Sequence, residues 1–281
     1  MDTNPLIGFI GQGFIGKNYA DDFERRNHNI IRYDVDRYSH NREKIKDCDI
    51  VLIAVPTPTT PTGFSYDIIK EVLGLIGPGK TAVVKSTIKV GTARKLQEMY
   101  PDIVVMHSPE FLTEKTAARD ARHPDRNIIG ITDLDDQDLY ERAKLVLSVL
   151  PRAPYSLITK VENAELIKYG GNCWFYVKVV FMNMLYDLIE KHEHDLDYEH
   201  IKEGMAHDLR IGPTHLDVVH QGGRGAGGHC FIKDFEAFIE MFQDTQMDEH
   251  LEILKKLRDL NVQYLRDSNK NLDLLKGVYG E

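Results

Sequence analysis

The sequence predicts an α/β protein in which a doubly wound parallel sheet is followed by a long helix and a smaller all-helical domain. Two patterns support this fold class. In the first half, short apolar runs alternate with helix-compatible stretches, as in βαβ units. In the second half, residues 161 to about 192 keep a helical periodicity without a proline, and further helical patterns follow. We therefore predict two domains, 1–158 and 159–281.

The strands of the first half are short apolar runs bounded by residues that interrupt regular structure. A breaker-rich segment at 56–63 follows the third run, and helix-compatible stretches lie at 17–27 and 66–76. Continuous apolar character is typical of strands that are covered on both faces of a parallel sheet. The predicted strands are 6–10, 30–34, 49–55, 81–85, 103–106 and 127–131.

The second half predicts a long helix, a glycine-rich loop and two more helices. Pro213 and the glycines that follow it mark the loop, and the two later helices are predicted at 231–242 and 248–267. The last of these is amphipathic, because its leucines recur at helical spacing. The loop glycines are 222, 223, 225, 227 and 228, and the leucines are Leu251, Leu254, Leu257, Leu260 and Leu265.

Composition and charge exclude several classes of protein. The chain is 42% hydrophobic and 28% charged, as in ordinary globular proteins, and its formal net charge of -9 disfavours nucleic-acid binding. The polar start does not match a secretory signal, and the longest apolar run, 50–55, is far shorter than the roughly 20 residues of a membrane helix. With only 3 cysteines, we predict a cytoplasmic protein without membrane contact. The histidines from 192 to 229 match no tetrahedral spacing, so no metal is predicted.

A Gly-x-Gly-x-x-Gly motif lies between the first predicted strand and the first predicted helix. Gly11 permits a tight turn, Gly13 lets the backbone approach a pyrophosphate, and Gly16 allows close packing of helix on strand. The string alone is a weak signal, but its position and an acidic residue after the second strand complete the dinucleotide fingerprint. We therefore predict a Rossmann-type domain whose cofactor also contacts Phe14 and Ile15 of this turn.

Asp34, which follows Gly16 by 18 residues, indicates which dinucleotide is bound. Its carboxylate can accept hydrogen bonds from the ribose hydroxyls and would repel a 2′-phosphate. NAD is therefore the predicted cofactor. Arg32 and Arg37 are close in sequence and weaken the preference against NADP.

Three pairs of polar residues are spaced four apart, so each pair shares one face wherever the chain is helical. The lysine and asparagine of one pair can stabilise an oxygen that gains negative charge. The cysteine of another, just before a predicted helix, would be activated by the helix N-terminus, and its aspartate could relay a proton. The pairs are Lys168 and Asn172, Cys230 and Asp234, and Glu110 and Glu114.

Each of these features also has a plainer interpretation. A lysine and an asparagine four apart usually form a solvated helix face, and the two glutamates could be exposed acids of a first helical turn. A lone cysteine usually fills a core. We adopt that interpretation for Cys48 and Cys173.

At these residues the chain resembles the nucleotide-sugar 6-dehydrogenases, the family of UDP-glucose and GDP-mannose dehydrogenases. The resemblance extends from residue 5 to about 245. Its most specific part is the string Gly227-Gly228-His229-Cys230-Phe231-Ile232-Lys233-Asp234. The other matching segments are 55–59, 85–92, 108–114, 124–126, 164–172 and 210–212.

The resemblance implies a four-electron oxidation in two NAD-dependent steps, most simply of UDP-glucose to UDP-glucuronate. The cysteine would add to the aldehyde, and the lysine and asparagine would stabilise the oxyanion. One glutamate would act as the base for thioester hydrolysis, the threonine would help to handle water, and the aspartate would support the thiol and the proton transfers. The implied catalytic residues are Cys230, Lys168, Asn172, Asp234, Glu114 and Thr87.

The resemblance also implies the binding residues and the assembly. Arg210 matches an arginine that in the family reaches the neighbouring subunit's ligand, and the long helix is the family's dimer element, so a homodimer is implied. The implied cofactor-binding residues are Gly11, Gly13, Phe14, Ile15, Gly16, Asp34, Val55, Pro56, Thr57, Thr87, Glu114 and Lys233. The implied substrate-binding residues are Glu110, Phe111, Leu112, Lys168, Asn172, Arg210 and Gly227.

Two departures from the family pattern concern the substrate. The loop before Cys230 looks longer than in typical bacterial members, and Ala226 stands where many relatives carry an aromatic residue. Family members also continue into a third domain that holds the nucleotide, whereas this chain ends at Glu281. We therefore expect a short form of the family, with the hexose and the nucleotide left open.

Two other functions remain open from the sequence. A two-electron hydroxyacid dehydrogenase of the 6-phosphogluconate type would also use a Lys-x-x-x-Asn helix pair but would need no cysteine. A non-catalytic, regulatory NAD-binding protein would produce no NADH. Retention of all six implied catalytic residues argues against the second alternative.

Overall fold

The computed structural model describes residues 5–243 and 245–280, which form two compact units. The N-terminal unit contains residues 5–57 and 65–168, and the C-terminal unit contains 58–64 and the described residues from 169 onward. The units divide within the long helix, whereas the predicted division after residue 158 falls inside a strand, Tyr155–Lys160. Residues 1–4, which bear on the secretory-signal prediction, and Glu281 lie outside the described residues.

Most strands belong to one large sheet, and the remaining four form two short ladders. In chain order the strands are β1 (Ile7–Ile10), β2 (Ile30–Tyr33), β3 (Ile50–Ile53), β4 (Thr59–Thr60), β5 (Gly63–Phe64), β6 (Thr81–Val84), β7 (Val104–His107), β8 (Arg126–Ile131), β9 (Tyr155–Lys160), β10 (Val219–His220) and β11 (Gly223–Arg224).

The helices alternate with strands in the first half of the chain and follow one another in the second. They are α1 (Phe14–Arg25), α2 (Asp67–Leu73), α3 (Thr92–Met99), α4 (Ala117–Arg122), α5 (Gln137–Val149), α6 (Val161–Glu190), α7 (Tyr198–Ala206), α8 (Gly228–Gln243), α9 (Asp248–Asp267) and α10 (Leu272–Tyr279). A 3-10 helix spans Ser39–Asp47.

The N-terminal unit is built on a seven-stranded sheet with the order β2-β1-β3-β6-β7-β8-β9. Every neighbouring pair is parallel except β7 and β8, which meet in one antiparallel bridge between His107 and Gly130. The predicted parallel sheet is therefore confirmed, with this one exception. The chain leaves β1 to one side for β2 and then crosses to β3 on the other, which creates the switch point where α/β proteins bind ligands.

The core of the N-terminal unit is formed by the predicted apolar runs. All four residues of β1, of β3 and of β6 are buried, as expected for strands covered on both faces. Phe9 of β1 packs edge-on against Phe23 of α1, with ring centroids 5.1 Å apart. These contacts hold the turn between β1 and α1, which carries the glycine motif.

The C-terminal unit is helical apart from the two-residue ladders β4–β5 and β10–β11, so the prediction of an all-helical domain needs this correction. Its core includes Tyr176 of α6 stacked on Phe235 of α8, with ring centroids 3.8 Å apart. The α9 leucines at 251, 254, 257 and 260 pack against this core. The amphipathic helix predicted at 248–267 is thus confirmed with the same bounds.

Several elements were not predicted from the sequence. They include the 3-10 helix Ser39–Asp47 together with α3, α5, α7, α10 and β9, which are charged or only partly buried and so lack a continuous apolar run. The helix predicted at 231–242 begins earlier, at Gly228. None of the helices in the described part of the chain is both long and apolar enough to span a membrane.

Candidate active site

The turn between β1 and α1 has the geometry that its glycine motif predicts. Gly11 has a φ of +86°, and a side-chain Cβ there would lie 2.3 Å from the carbonyl oxygen of Ala54. A Cβ at Gly16 would lie 1.9 Å from the carbonyl oxygen of Gly11. In contrast, no atom lies within 4 Å of a Cβ built at Gly13. Two of the glycines are therefore needed for packing, and the middle one faces open space that a pyrophosphate can use.

Asp34 follows β2 and is tied to the glycine turn. Its carboxylate accepts hydrogen bonds from the backbone N–H of Gln12 at 2.8 Å and of Asp36 at 3.1 Å. Arg32 is buried and pairs with Asp21 at 2.8 Å and with Glu24 at 2.7 Å. Because these acids already hold the Arg32 guanidinium, it is not available to a 2′-phosphate, and one reason to doubt the NAD preference is removed.

The segment after β3 is fixed to the segment after β6. The Ser86 hydroxyl accepts from the N–H of Val55 at 3.0 Å and donates to the carbonyl of the same residue at 2.7 Å. The Thr57 hydroxyl donates to the carbonyl of Thr87 at 2.8 Å, and both threonines are buried. Pro56, between Val55 and Thr57, is exposed. The predicted cofactor residues of this segment thus form one rigid edge at the carboxyl end of the sheet.

A buried ion pair connects α6 with the loop after β7. Lys168 Nζ lies 2.9 Å from Oε1 of Glu110, and both side chains are only 6% exposed. The other carboxylate oxygen of Glu110 accepts from the N–H of Leu112 at 2.7 Å. Phe111 lies beside the pair, with Lys168 Nζ 5.7 Å and the Arg126 guanidinium 3.8 Å from its ring centroid. Lys168 is therefore not part of a solvated helix face, and that plainer interpretation is wrong.

Two titratable residues near this ion pair were not predicted. Lys85, just after β6, is buried and donates to the Ser108 hydroxyl at 3.1 Å. Burial lowers the pKa of Lys85 to about 7, against the opposing attraction of Glu110. His107 at the end of β7 is fully buried, and burial lowers its pKa to about 3. The sequence signal that could have identified Lys85 is its position as a lysine directly after an apolar strand.

Glu165 of α6 lies within a segment that matches the family, and the sequence alone indicates no role for it. It is fully buried and accepts from the N–H groups of Gly91 at 2.6 Å and Ala93 at 2.7 Å, at the start of α3. Burial raises the pKa of Glu165 to about 7, although the two N–H groups lower it. Because Lys168 follows one helical turn later, this contact fixes the part of α6 that presents the lysine.

Glu110 and Glu114 do not share a helix face, because residues 110–114 are not helical. The interpretation of both residues as acids of a first helical turn is therefore wrong. Glu110 is buried in an irregular loop, whereas Glu114 is exposed in a turn that precedes α4. Pro109 within the loop disfavours a helix there. The base role of Glu114 stays a prediction.

The C-terminal unit contains the second group of predicted residues. Asn172 of α6 donates to Oδ2 of Asp234 at 2.6 Å, and Asp234 is buried. Lys233 forms an ion pair with the other oxygen of Asp234. Asp234 thus ties α8 to α6. The pair Lys168 and Asn172 lies on continuous helix as predicted, although α6 belongs to both units.

Cys230 is an exposed thiol in the first turn of α8, rather than before the helix as predicted. Asp234 follows four residues later on the same helix. Cys48 and Cys173 are buried, which confirms them as core residues, and burial raises the pKa of Cys48 to about 12. Of the three cysteines, Cys230 is therefore the thiol that a substrate can reach.

The remaining predicted residues lie around the loop between α7 and α8. Arg210 is exposed in a turn after α7, where it pairs with Asp208 at 2.6 Å. A Cβ at Gly227 would lie 2.2 Å from Oδ1 of Asn271, so a larger residue would not fit there, and the substrate-binding role of Gly227 stays a prediction. Among residues 5–243 and 245–280, no three histidine, cysteine, aspartate or glutamate side chains are grouped as a metal site requires.

Profiles of one protein family match both units. The UDP-glucose/GDP-mannose dehydrogenase family, NAD binding domain, matches residues 37–145, and the central domain of the same family matches residues 162–263. The first match confirms NAD as the predicted cofactor.

Individual relatives agree with these profiles. The chain is 33% identical to the UDP-glucose 6-dehydrogenase of Rhizobium meliloti (strain 1021) over 213 residues, which are 70% of this chain and 46% of the relative. It is 30% identical to the UDP-glucose 6-dehydrogenase of Rickettsia bellii (strain RML369-C) over 222 residues, 76% of this chain and 49% of the relative. The chain thus spans about half the length of these relatives.

Two solved structures share the fold. A UDP-glucose dehydrogenase from Pyrobaculum islandicum has a TM-score of 0.79 at 24% identity, over 99% of this chain and 72% of that one. The Mycobacterium tuberculosis 3-hydroxyisobutyrate dehydrogenase has a TM-score of 0.72 at 16% identity, over 99% of both chains. The predicted Rossmann-type fold is confirmed.

Proposed function

Since the chain belongs to the UDP-glucose/GDP-mannose dehydrogenase family, we propose that it oxidises the C6 alcohol of a nucleotide-sugar to the uronic acid with NAD. UDP-glucose is the proposed substrate and UDP-glucuronate the product. The observation that carries the proposal is the exposed thiol of Cys230 one helical turn from a buried aspartate, Asp234, which Asn172 holds at 2.6 Å. A two-electron dehydrogenase has no use for such a thiol.

NAD in the glycine turn supplies a hydride acceptor, and two equivalents are used for each sugar. In the first oxidation the C6 carbon loses a hydride and its hydroxyl loses a proton, which leaves an aldehyde. The thiolate of Cys230 then forms a bond to the aldehyde carbon, and the carbonyl oxygen becomes an oxyanion. In the proposal, Lys168 and Asn172 donate hydrogen bonds to that oxyanion. Two donors held in position before the reaction lower the free-energy barrier to addition of the thiolate.

The second oxidation removes a hydride from the same carbon and leaves a thioester on Cys230. Water then attacks the thioester, the C–S bond breaks, and the acid is released while the thiol regains its proton. Glu114 is the proposed base for the water, with Thr87 orienting it. Asp234, which contacts both Asn172 and Lys233, supports the proton transfers in this proposal.

A direct assay tests this function. Purified protein is incubated with NAD and one sugar at a time: UDP-glucose, GDP-mannose, a UDP-N-acetylhexosamine or glucose 6-phosphate. We expect NADH with UDP-glucose, at two equivalents per sugar consumed. No NADH with any nucleotide-sugar would refute the proposal.

The second candidate is a two-electron hydroxyacid dehydrogenase. It is favoured by the match over 99% of both chains to 3-hydroxyisobutyrate dehydrogenase, a likeness of fold alone. This candidate predicts one NADH per substrate and no dependence on Cys230. A regulatory NAD-binding protein would bind NAD and form no NADH with any of these substrates.

We further propose a homodimer through α6. In the part of α6 that belongs to the C-terminal unit, four large apolar side chains are between 46% and 64% exposed. Successive members are separated by seven, three and four residues, which places them on one face of the helix. Analytical ultracentrifugation should give twice the chain mass, and Phe181→Glu should shift it to the monomer. The four side chains are Trp174, Phe181, Met184 and Leu188.

The cytoplasmic location stays a prediction.

A further inference from the structure

The loop that leads to Cys230 is held along its backbone by the turn between α9 and α10. We refer to this turn, residues 268–271, as the clamp. The Ser268 hydroxyl accepts from the N–H of Arg224 at 2.9 Å. Lys270 Nζ donates to the carbonyl of Gly225 at 2.8 Å, and Oδ1 of Asn271 accepts from the N–H of Gly228 at 2.9 Å. Three side chains of one turn therefore bind backbone groups of the loop.

The loop glycines fit against the clamp. A Cβ at Gly223 would lie 2.7 Å from both Cβ of Lys270 and Oγ of Ser268. A Cβ at Gly227 would lie 2.2 Å from Oδ1 of Asn271. Such distances cannot be met without moving one of the two segments. The clamp thus leaves room only for glycine at these two positions.

A buried side chain of α9 completes the arrangement. Asn261 is 1% exposed, and its amide accepts from the N–H of Ala226 at 2.7 Å and donates to the carbonyl of Ala226 at 3.0 Å. With the clamp, this leaves backbone groups of residues 223, 224, 225, 226 and 228 bound to a single C-terminal segment. The backbone of the loop is therefore held by hydrogen bonds along most of its length.

The last of these contacts lies where α8 begins. Gly228 is the first residue of α8, and Cys230 follows two residues later in the same turn. The first N–H groups of a helix have no partner within it, so an acceptor from outside holds the turn together. Oδ1 of Asn271 supplies that acceptor for Gly228. The geometry of the first turn decides which N–H groups face a thiolate at Cys230.

We propose that Asn271 is a positioning residue for Cys230, with Lys270 as its support. This inference rests on the proposed function only for the role of the thiol. Asn271 holds the first turn of α8 through Gly228, and so presents the thiol for attack and keeps N–H groups directed at its thiolate. It does not touch the substrate.

The matched test exploits the backbone of the clamp. Asn271 and Asn269 both have a φ of +54°, which glycine adopts without strain. Asn271→Gly therefore removes the amide acceptor with little disturbance of the main chain. Asn269→Gly makes the same change two residues away, and no bond from the Asn269 side chain to the loop occurs within the described part of the chain.

The measurement is the rate at which iodoacetamide alkylates Cys230, followed by mass spectrometry of the tryptic peptide 225–233 from about pH 6 to pH 10. The buried thiols of Cys48 and Cys173 do not interfere. We expect Asn271→Gly to slow alkylation at neutral pH by about fivefold and to raise the pH midpoint, as for loss of a helix cap. Asn269→Gly should match the wild type. Equal rates and midpoints for the two variants would overturn the proposal.

A second variant covers a failure of Asn271→Gly to fold. Lys270→Met keeps the aliphatic stem that packs at Gly223 but removes the donor to the loop carbonyls, and it should slow alkylation in the same direction. If Asn271→Gly does not fold and Cys230 of the Lys270→Met protein is alkylated at the wild-type rate, the proposal is overturned.

Activity provides the independent arm. With UDP-glucose, Asn271→Gly should lower kcat several-fold and leave the KM for NAD unchanged, since the glycine turn of α1 is untouched. Alkylation needs no substrate, so an inactive wild type would refute the proposed function while the alkylation result still decides the role of Asn271.

Discussion

The two groups of candidate catalytic residues are built in different ways. In the N-terminal unit, charged side chains are buried and hold one another, as in the pair of Lys168 and Glu110 at 2.9 Å. In the C-terminal unit, the proposed nucleophile, Cys230, is exposed, and side chains that bind backbone hold the loop in front of it. The first arrangement places charged groups in a low-dielectric region. The second holds the proposed nucleophile in position.

This difference separates what each group can tolerate. A buried charge that loses its partner costs both stability and activity, because nothing replaces the lost interaction. An exposed thiol can be replaced with little effect on folding, since solvent already reaches it. Variants of the two groups should therefore be distinguishable by comparing unfolding with turnover.

The largest expected effect is on turnover alone. Cys230→Ser should lower formation of the acid by about a thousandfold or more, because the hydroxyl is a far weaker nucleophile than the thiolate. Its melting temperature should stay within about 1 °C of the wild type, as for exposed substitutions. Steady-state NADH production and differential scanning calorimetry measure the two quantities. Cys48→Ala, which removes a buried thiol, should lower the melting temperature and leave turnover unchanged. Wild-type turnover by Cys230→Ser would break the comparison.

Lys168→Met should affect both turnover and stability. It removes a donor to the proposed oxyanion, which costs roughly 10²–10³ in kcat, and leaves Glu110 buried without its cation, which costs about 3–5 kcal/mol. Adding Glu110→Gln should recover most of the stability and none of the turnover. Urea unfolding and NADH assays of the single and double variants measure this. A stable Lys168→Met protein would contradict the burial argument.

Glu165 gives the N-terminal group a pH dependence. Its pKa is about 7 in the folded protein and near 4.5 when unfolded, so the folded state holds the proton more tightly. Its contribution to stability is complete below pH 4.5 and is lost as the pH rises through 7, by up to about 3 kcal/mol. Glu165→Gln should lack this loss. The comparison is the change in unfolding free energy between about pH 4.5 and pH 8 for the two proteins. Parallel pH profiles would show that burial does not raise this pKa.

The smallest expected effect concerns the cofactor. Asp34→Asn should raise the KM for NAD about tenfold and narrow the preference over NADP, because an amide does not repel a 2′-phosphate. Asp36→Asn, an exposed change two residues on, should leave both unchanged. Initial rates with each dinucleotide measure the ratio. An unchanged ratio for Asp34→Asn would assign the selectivity to other groups.

The glycine turn and the buried strands of the N-terminal unit could be predicted because their signals are local, whereas α3, α5 and β9 of the same unit lack such a signal. The turn from Gly11 to Gly16 is set by residues within it and by the adjoining strands, and the strands are continuous apolar runs. The buried pair of Lys168 and Glu110 could not be predicted from spacing, since its members are 58 residues apart. The resemblance named both residues but not their contact.

The contacts of the loop before Cys230 were harder to predict for a physical reason. The loop glycines at 223 and 227 suggest room for a ligand when only the neighbouring sequence is considered. Their space is instead filled from residues 268–271, a segment more than forty positions later. No periodicity marks that segment, and the helix that follows it, α10, was not predicted.

If the Cys230 thiol enables a second oxidation, the number of NADH molecules formed per sugar reveals it. With a limiting amount of UDP-glucose and excess NAD, the wild type should form two NADH for each sugar consumed, together with one UDP-glucuronate. Formation of one NADH per sugar, unaffected by Cys230→Ser, would contradict the account and leave a two-electron dehydrogenase.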